Sequence, residues 1–341
     1  MSLTELSKKF DTKEKCIAHL EKVKWGNTPT CNFCGSTNVR RRSTNYLQWH
    51  CNKCNRDTSV LVNSIFEDSR MPLPKWFQLI YLMLNAKKGI SAKQISRDIG
   101  VTYKTAWYSA MRVRCAMLDW GEQLEGIVEM DETYIGGKPR KRNNAAPADN
   151  VPTIGNLYDR KDNIFKRGRG TKKIPIAGIV ERKGRVVAKL MDRLTSEELI
   201  KLLKKAVKTN ESTLMTDDFR AYQKMDELIE RFVINHSSKQ YVQGAIHTNT
   251  IEGFWSIIKN GIRGQYHVLS KKYLPFYLAE FCYRYNRREL TPSESFKETI
   301  DNAIDNNKCF VNAKPKDDVK KIVYPKKDRK KAVRPKKTKK R

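Results

Sequence analysis

The chain has 341 residues, and its 68 lysines and arginines outnumber 37 aspartates and glutamates, giving a formal net charge of +31. A chain of this length holds two or three domains, and so large an excess of one charge predicts a polyanionic partner such as nucleic acid. No apolar run reaches the roughly 20 residues that span a bilayer and no apolar signal segment is present, so we expect a soluble, intracellular protein.

Two close pairs of cysteines follow the first predicted helix. Cys31 and Cys34 form the first pair, Cys51 and Cys54 form the second, and sixteen residues separate the pairs. Four thiolates at this spacing are typical of one tetrahedral zinc ion, with each pair on a tight turn. We therefore predict a structural Zn²⁺ site whose binding drives the folding of a small module. His50 is not expected to be a ligand, because four thiolates complete the shell.

A helical region is predicted after the cysteines. The apolar spacing of residues 72–87 indicates one helix. Ser91 and Thr102 are placed to begin two further helices on either side of Gly100, which is the pattern of a helix-turn-helix unit. An ordinary helical hairpin has the same pattern, but the basic composition and the neighbouring cysteine module favour DNA binding. The side chains expected near the exposed start or face of the second helix are Lys104, Thr105, Tyr108 and Arg112.

Beyond Gly126 the pattern changes to strands alternating with helices. The predicted strands cover residues 127–134, 174–180, 185–190, 213–216 and 231–235, and the predicted helices cover 196–207, 250–259 and 273–288. This order predicts an α/β domain with a mixed sheet flanked by helices. The basic segment with glycines and asparagines between the first two strands is predicted to be a long functional loop or insertion.

Three acidic residues in different local contexts form the candidate catalytic site. Asp131 and Asp217 follow short apolar runs that are predicted strands, and Glu252 lies on a predicted helix. Carboxylates brought together in this way provide the oxygen ligands that Mg²⁺ prefers. In so basic a chain the ions are expected to act on a phosphodiester backbone, where two of them stabilise the attacking and leaving oxygens.

The two aspartates also have structural interpretations. Glu132 lies beside Asp131, and because successive strand residues face opposite sides, one of the two is expected to be solvated. Asp218 lies beside Asp217, and either of these two aspartates is suited to cap the next helix.

The helix that carries Glu252 offers an alternative of its own. Asn249-x-x-Glu252 fits a capping box, with Asn249 as the N-cap and Glu252 at the third helical position. Lys259 lies seven residues after Glu252 and shares its face, where it is suited to hold a phosphate. His236 and His247 lie nearby in the chain, but isolated histidines are more often structural than catalytic.

Several segments in a fixed order resemble the ISXO2-like transposases, a bacterial insertion-sequence group related to the eukaryotic Merlin elements. The segments are DETYIGGK, TDDFRAY, NHSSKQYV, HTNTIEGFWSIIK and FCYRYNRR. The resemblance covers about residues 125–290, and the upstream cysteine module and helix-turn-helix are similar to the N-terminal layout of that group.

The resemblance implies an RNase H-like DDE catalytic domain that uses Mg²⁺ or Mn²⁺. Asp131 is then the first acid, and Asp217 is the second in preference to Asp218. Glu252 is our choice for the third acid, with Asn249 as an auxiliary ligand or cap. Lys259 is implied to hold phosphate, as is the basic loop that contains Lys138, Arg140, Lys141 and Arg142.

The implied activity is DNA transposition by cut-and-paste or a close variant. The zinc ribbon and helix-turn-helix would recognise the terminal inverted repeats of a mobile element, and the freed 3′-hydroxyl would attack target DNA. Pairing two ends implies at least a homodimer on double-stranded DNA. In a bacterial cell we expect the protein in the cytoplasm, associated with the nucleoid.

We predict four regions. They are a zinc ribbon (1–65), a helix-turn-helix domain (66–122), a catalytic domain (123–310) and a basic disordered tail (311–341). Three other functions remain open: a DNA-binding regulator without catalysis, a host protein derived from a transposase, and a metal-dependent nuclease of the same fold that does not join strands.

Overall fold

The computed structural model describes residues 1–45, 47–118, 121–136, 173–234 and 247–305, with two short strands at 310–311 and 314–315. The predicted loop residues Lys138, Arg140, Lys141 and Arg142, His236 and most of the predicted tail lie outside these ranges. Throughout the described part, every helix is too short or too polar to traverse a lipid bilayer.

The N-terminal part consists of helices interrupted by a small antiparallel sheet. Its helices are α1 (Leu3–Lys9), α2 (Lys13–Trp25), α3 (Leu73–Asn85), α4 (Ala92–Asp98) and α5 (Tyr103–Ala116). The strands β1 (Val39–Arg41), β2 (Trp49–Cys51) and β3 (Arg56–Thr58) carry the cysteine module. Ser91 and Thr102 cap α4 and α5 by accepting the amide protons of Gln94 and Thr105, so both predicted helix starts are confirmed.

A five-stranded mixed sheet forms the second part. Its strands are β4 (Leu124–Ile135), β5 (Ile174–Glu181), β6 (Val186–Leu190), β7 (Val207–Asp217) and β8 (Glu230–Ile234). They lie in the order β6-β5-β4-β7-β8. The pairs β4–β5 and β5–β6 are antiparallel, whereas β4–β7 and β7–β8 are parallel. An order of 3-2-1-4-5 with this pattern of directions confirms the predicted RNase H-like arrangement.

Helices cover both faces of this sheet, as predicted for a mixed sheet flanked by helices. One face packs on α6 (Ser196–Ala206) and a 3₁₀ turn (Arg220–Met225), through apolar side chains such as Val128 and Met130. The other face packs on α7 (Asn249–Gly261) and α8 (Leu274–Asn286), through side chains such as Ile176 and Val180. The alternation along β4 therefore separates Val128 and Met130 from Glu129 and Asp131.

The chain then returns to the N-terminal helices. Helix α9 (Pro292–Asp305) packs against α2 and α3. Its Phe296, Ile300 and Ile304 are buried in one core with Leu20 and Phe77. A capping box begins α9, in which the hydroxyl of Thr291 accepts from the amide of Glu294 and the Glu294 carboxylate accepts from the amide of Thr291. This helix was not among the predicted elements, although its capping box is visible in the sequence. The short strands β9 (Phe310–Val311) and β10 (Lys314–Pro315) pair with each other.

Candidate active site

Asp131 and Asp217 lie level with each other on neighbouring parallel strands. The register of β4 and β7 pairs Val128 with Leu214 and Glu129 with Met215, and two residues further along both strands stand Asp131 and Asp217. Side chains at equivalent positions of parallel strands point to the same face, which here is the face under α7. The structure therefore brings together the two acids that the sequence placed 86 positions apart.

The Asp131 carboxyl group is crowded by other acids and held by a tryptophan. Burial raises the pKa of Asp131 to about 7, and the negative charges of Glu132 and Asp217 add to this effect. The indole Nε1 of Trp255, on α7, donates a hydrogen bond of 3.0 Å to Oδ2 of Asp131. A carboxyl group whose ionisation is opposed by like charges is suited to a cation, which would relieve the repulsion.

Gly178 makes room for this tryptophan. It lies opposite Asp131 on β5, and a Cβ atom at this position would lie 2.6 Å from the ring of Trp255. Only a residue without a side chain lets the indole lie against the sheet and reach the carboxylate. Sequence analysis did not single out Gly178, because its role depends on a helix more than 70 residues further along the chain.

The neighbours of the two aspartates face elsewhere. Glu132 accepts a hydrogen bond of 2.8 Å from the hydroxyl of Tyr222 on the opposite side of the sheet, so the expectation that one acid of this pair is simply solvated is wrong. Asp217 accepts the amide proton of Phe219 at 3.1 Å, whereas Asp218 is exposed. The preference for Asp217 over Asp218 agrees with the register of β7.

Glu252 lies on the exposed face of α7, in the helix turn that follows Thr248. Its Oε1 accepts a hydrogen bond of 3.4 Å from the hydroxyl of Thr248. Asn249 is exposed and Lys259 is half-buried, and with Glu252 they share one helix face. The prediction of a capping box is wrong. Thr248 rather than Asn249 occupies the N-cap position, and no side chain caps the helix locally.

The hydrogen-bond acceptor for the first amide groups of α7 is instead a side chain of β4. Glu129 is fully buried, and its carboxylate accepts the amide protons of Thr250 and Ile251 at 2.8 and 3.1 Å. The Arg182 guanidinium donates to the same carboxylate at 2.8 Å, and Nδ1 of His247 lies 3.3 Å from it. The role of Glu129 is not visible in the sequence, because Arg182 lies 53 residues away and the amides of Thr250 and Ile251 lie 121 and 122 residues away, although strand alternation places Glu129 on the face of Asp131.

The four cysteines form a compact cluster in the N-terminal part. The Sγ atoms of Cys31 and Cys54 lie 3.6 Å apart, as do those of Cys34 and Cys51, and all four lie within 4.8 Å of one another. A tetrahedral zinc ion with Zn–S bonds of about 2.3 Å requires sulfurs about 3.8 Å apart, so the cluster fits zinc.

His50 is not part of the cysteine cluster. Its ring Nδ1 lies 2.9 Å from the carboxylate of Asp57 instead.

The carboxylates are less closely gathered than the thiolates. Within the described ranges, the cysteines are the one group of three or more side chains whose ligand atoms are close enough to hold a metal ion together. The structure thus brings Asp131 and Asp217 together and places Glu252 on the helix docked beside them, without closing the three into one ligand cluster.

The start of α5 is exposed, but most of this helix is not. Tyr103 is 55% exposed, Lys104 is exposed and Thr105 and Tyr108 are half-buried. Arg112 is 4% exposed, and its guanidinium donates a hydrogen bond of 2.8 Å to the carbonyl of Glu67. The expectation that Arg112 lies at the exposed start or face of this helix is therefore wrong, because its side chain is buried in the protein core.

A buried ion pair connects α5 to the second part of the chain. Arg114 donates a hydrogen bond of 2.6 Å to Glu280 on α8, and both side chains are at most 2% exposed. Burial favours the protonated form of Glu280, but Arg114 and Arg284 outweigh it and hold the pKa of this carboxyl below its usual value.

Comparisons with known proteins agree with this architecture. A family model described as the ISXO2-like transposase domain matches residues 123–286, and one described as a transposase zinc-ribbon domain matches residues 11–57. A protein described as uncharacterized, in transposable element ISH50 of Halobacterium salinarum, is 27% identical over 304 residues, covering 87% of this chain and 99% of that protein.

Two solved structures of the Mos1 transposase are also similar, at a greater distance. The strand transfer complex aligns with a TM-score of 0.26 and 13% identity over 67% of this chain and 78% of that one. The pre-cleavage transpososome aligns with a TM-score of 0.26 and 13% identity over 88% and 96%. Similarities this distant carry no argument about function.

The two matching family models lie in order along the chain and together span more than half of it. The first coincides with the sheet and helices that carry Asp131, Asp217 and Glu252, and the second with the four-cysteine ribbon. The chain therefore carries a region similar to the ISXO2-like transposase domain, preceded by a region similar to a transposase zinc ribbon.

Proposed function

We propose that this protein is a DDE-type DNA transposase, which cleaves DNA at the ends of its own mobile element and joins the 3′-hydroxyl ends to target DNA. The observation that carries the proposal is the pair of level carboxylates, Asp131 and Asp217, beside the helix that bears Glu252. Their face lies within a strongly basic chain, which suits a substrate with a phosphodiester backbone.

The residues that would hold divalent cations are Asp131, Asp217 and Glu252, with Asn249 as an auxiliary ligand or cap. The donor chemistry fits Mg²⁺ or Mn²⁺, since carboxylate oxygens are the ligands that these ions prefer, and burial together with the charges of Glu132 and Asp217 raises the pKa of Asp131. When bound, such ions would activate water and stabilise the oxygens that enter and leave at phosphorus.

Other residues of the chain bind and orient. Trp255 holds the Asp131 carboxylate in place through its indole N–H. Lys259, on the same helix face as Glu252, would contact a DNA phosphate, as would Lys138, Arg140, Lys141 and Arg142. The exposed start of α5 offers Lys104 and Thr105 to the element ends, and Tyr108 lies one turn further along the helix. The four cysteines would hold Zn²⁺, which orders the ribbon.

We propose the four regions predicted from sequence as the domains, except that α9 joins the N-terminal core in which it packs. The ribbon and helix-turn-helix would read DNA, and the RNase H-like domain would perform catalysis. Two element ends must meet during the reaction, so we propose that at least two protomers assemble on double-stranded DNA. Because its substrate would be chromosomal DNA, we propose that the protein associates with the nucleoid.

The test is a strand-transfer assay with matched aspartate variants. Purified protein would be mixed with Mg²⁺ or Mn²⁺, labelled DNA that carries the flanking inverted repeat, and a target plasmid. We expect joined product from the wild type and from Asp218→Asn, because Asp218 is exposed at the end of β7. Asp217→Asn should bind the DNA end normally and yield at least a hundredfold less product, on the order of the loss expected when transition-state charge is left unstabilised.

Other outcomes point to other functions. Cleavage without joining would identify a nuclease of the same fold. Metal-independent DNA binding without cleavage would identify a regulator or a host protein derived from a transposase. If Asp217→Asn and Asp218→Asn lose the same amount of joined product, Asp217 does not have the proposed role.

A further inference from the structure

Glu129 is a fully buried carboxylate two residues before Asp131, on the same face of β4. Its Oε2 accepts the amide protons of Thr250 at 2.8 Å and of Ile251 at 3.1 Å. Its Oε1 accepts from the Thr250 hydroxyl at 2.9 Å and from Nε of Arg182 at 2.8 Å. Among the described residues, its hydrogen-bond donors thus belong to the start of α7 and to Arg182, and Nδ1 of His247 lies 3.3 Å from Oε1.

These contacts replace a local helix cap. The first amide groups of a helix lack partners within the helix, and Thr248, at the N-cap position, makes no side-chain hydrogen bond to them. Glu129 provides the missing acceptors from another strand, and its negative charge is favourable at the positive end of the helix dipole. Arg182 balances the buried charge, and it also donates to the carbonyl of His247 at 2.8 Å.

The same helix is attached to β4 a second time, one turn further on. Trp255 donates to Asp131 at 3.0 Å, and the ring fits there because β5 presents Gly178. Glu252 follows directly after Ile251, whose amide is bound by Glu129. The two attachments therefore lie on either side of Glu252 along the helix and end on residues two apart on one strand.

We propose that Glu129 is a positioning residue for the carboxylate site: it fixes the start of α7 on β4 and so sets where Glu252 lies relative to Asp131. The proposal rests on the function proposed above, in which these acids bind divalent cations. Glu129 is not itself a ligand, since it is fully buried and its oxygens are already occupied by donors from α7 and Arg182.

A buried ion pair that only stabilises the fold is the competing explanation, and the chain contains a matched example of one. Glu280 is also fully buried and is paired with Arg114 and Arg284, but it lies on α8 and contacts none of the three proposed ligands. Replacing either glutamate by glutamine keeps the side-chain volume and removes the charge. A merely structural role predicts the same consequences for both variants.

The experiment compares zinc-loaded wild type, Glu129→Gln, Glu280→Gln and Asp217→Asn, by calorimetric titration with Mn²⁺ in the absence of DNA. Binding that Asp217→Asn abolishes is assigned to the carboxylate site. We expect Glu129→Gln to weaken that binding by about tenfold or more, as for other groups that orient metal ligands. Glu280→Gln should lower the melting temperature and leave Mn²⁺ binding within about twofold of the wild type.

Amide hydrogen exchange provides a readout that needs neither metal nor activity. In Glu129→Gln the amides of Thr250 and Ile251 should exchange faster than in Glu280→Gln. If Glu129→Gln does not fold, Thr250→Val removes only the hydroxyl that donates to Glu129 and should weaken Mn²⁺ binding in the same direction.

Equal Mn²⁺ affinity in wild type, Glu129→Gln and Thr250→Val would overturn the proposal. DNA cleavage by the wild type is measured in parallel. If the wild type binds Mn²⁺ at the carboxylates but cleaves no DNA, the proposed function fails while the positioning role stands.

Discussion

Gly178 determines whether Trp255 can reach Asp131. A Cβ atom at this position would lie 2.6 Å from the indole ring and 3.3 Å from Cδ1 of Ile251, so alanine must displace the ring or the helix. We expect Gly178→Ala to lower the free energy of unfolding by about 1–3 kcal/mol, which is typical of overpacking. It should also slow DNA cleavage, because Asp131 loses the hydrogen bond that orients it.

Gly253 is the control for this substitution. It lies in the middle of α7, and a Cβ there would meet nothing within 4 Å. Gly253→Ala should therefore stabilise the protein by roughly 0.5–1 kcal/mol through helix propensity alone. Urea denaturation of both variants measures the difference, and a Gly178→Ala protein as stable as Gly253→Ala would contradict the close packing of Trp255.

In the absence of a divalent cation, ionised Asp131 should destabilise the protein at neutral and alkaline pH. Burial and like charges raise its pKa to about 7 from an ordinary value of 3.8, so the folded state binds a proton more tightly than the unfolded state. Stability contributed by this group is present below pH 4 and is lost as the pH rises through 7.

The neutral variant Asp131→Asn tests this dependence. Without added Mg²⁺ or Mn²⁺, it should be no more stable than the wild type near pH 4 and more stable at pH 8, by up to about 4 kcal/mol. Thermal melts of the zinc-loaded proteins across this range provide the measurement. If the wild type is as stable as Asp131→Asn at pH 8, or more stable, the ionised Asp131 carboxylate does not destabilise the folded state.

At the scale of elements, packing limits the part of α5 that can contact the proposed DNA partner. Its second half is buried against α8 and α3, so only the first turn and a half can contact a partner. We expect Lys104→Ala to weaken binding to the element end and to reduce the salt dependence of binding by about one ion. Fluorescence anisotropy over a range of salt concentrations measures both effects.

Arg112 provides the contrast on the same helix. Its side chain is buried and bonded to the carbonyl of Glu67, so Arg112→Ala should lower the melting temperature and leave the salt dependence of DNA binding unchanged. A reduced salt dependence in Arg112→Ala would mean that this guanidinium contacts phosphate after all.

Helices α4 and α5 also show which features could be predicted from the sequence. The starts of α4 and α5 were predictable because Ser91 and Thr102 act on amides three residues away. The burial of Arg112 was not, because it depends on the loop that carries Glu67. For the same reason Asn249 was given a capping role that belongs to Glu129, a residue on a distant strand. That Asp131 and Asp217 come together from two strands could be predicted, since both follow apolar strand segments.

At the scale of the whole molecule, the N-terminal core depends on residues near the end of the described chain. Ile300 on α9 is fully buried among side chains of α2 and α3. We expect Ile300→Ala to lower the free energy of unfolding by about 2–5 kcal/mol and to increase amide exchange in α2 and α3. The exposed neighbour Lys297 provides the control, because Lys297→Ala should change stability by no more than about 0.5 kcal/mol. Faster exchange confined to α9 in Ile300→Ala would contradict this dependence.

The ion pair between Arg114 and Glu280 extends the same dependence to the catalytic domain. Both side chains are buried, and a buried carboxylate that loses its partner is strongly destabilising. Helix α5, which carries the exposed Lys104, is thus fixed to α8, which packs on the sheet of the carboxylates. The proposed DNA-binding helix and the proposed carboxylate site therefore belong to one packed unit rather than to modules joined only by a linker.

The position of α9 has a consequence for how the protein is made. A ribosome adds about 5–20 residues per second, so α1–α3 emerge roughly ten to forty seconds before the helix that completes their core. A nascent chain cannot complete its N-terminal core before the five-stranded sheet and its helices have been synthesised. A gene copy interrupted by a stop codon ahead of residue 292 would therefore encode a fragment with an open core. If the protein binds element ends as proposed, decayed copies of this kind would supply no stable competitor for them.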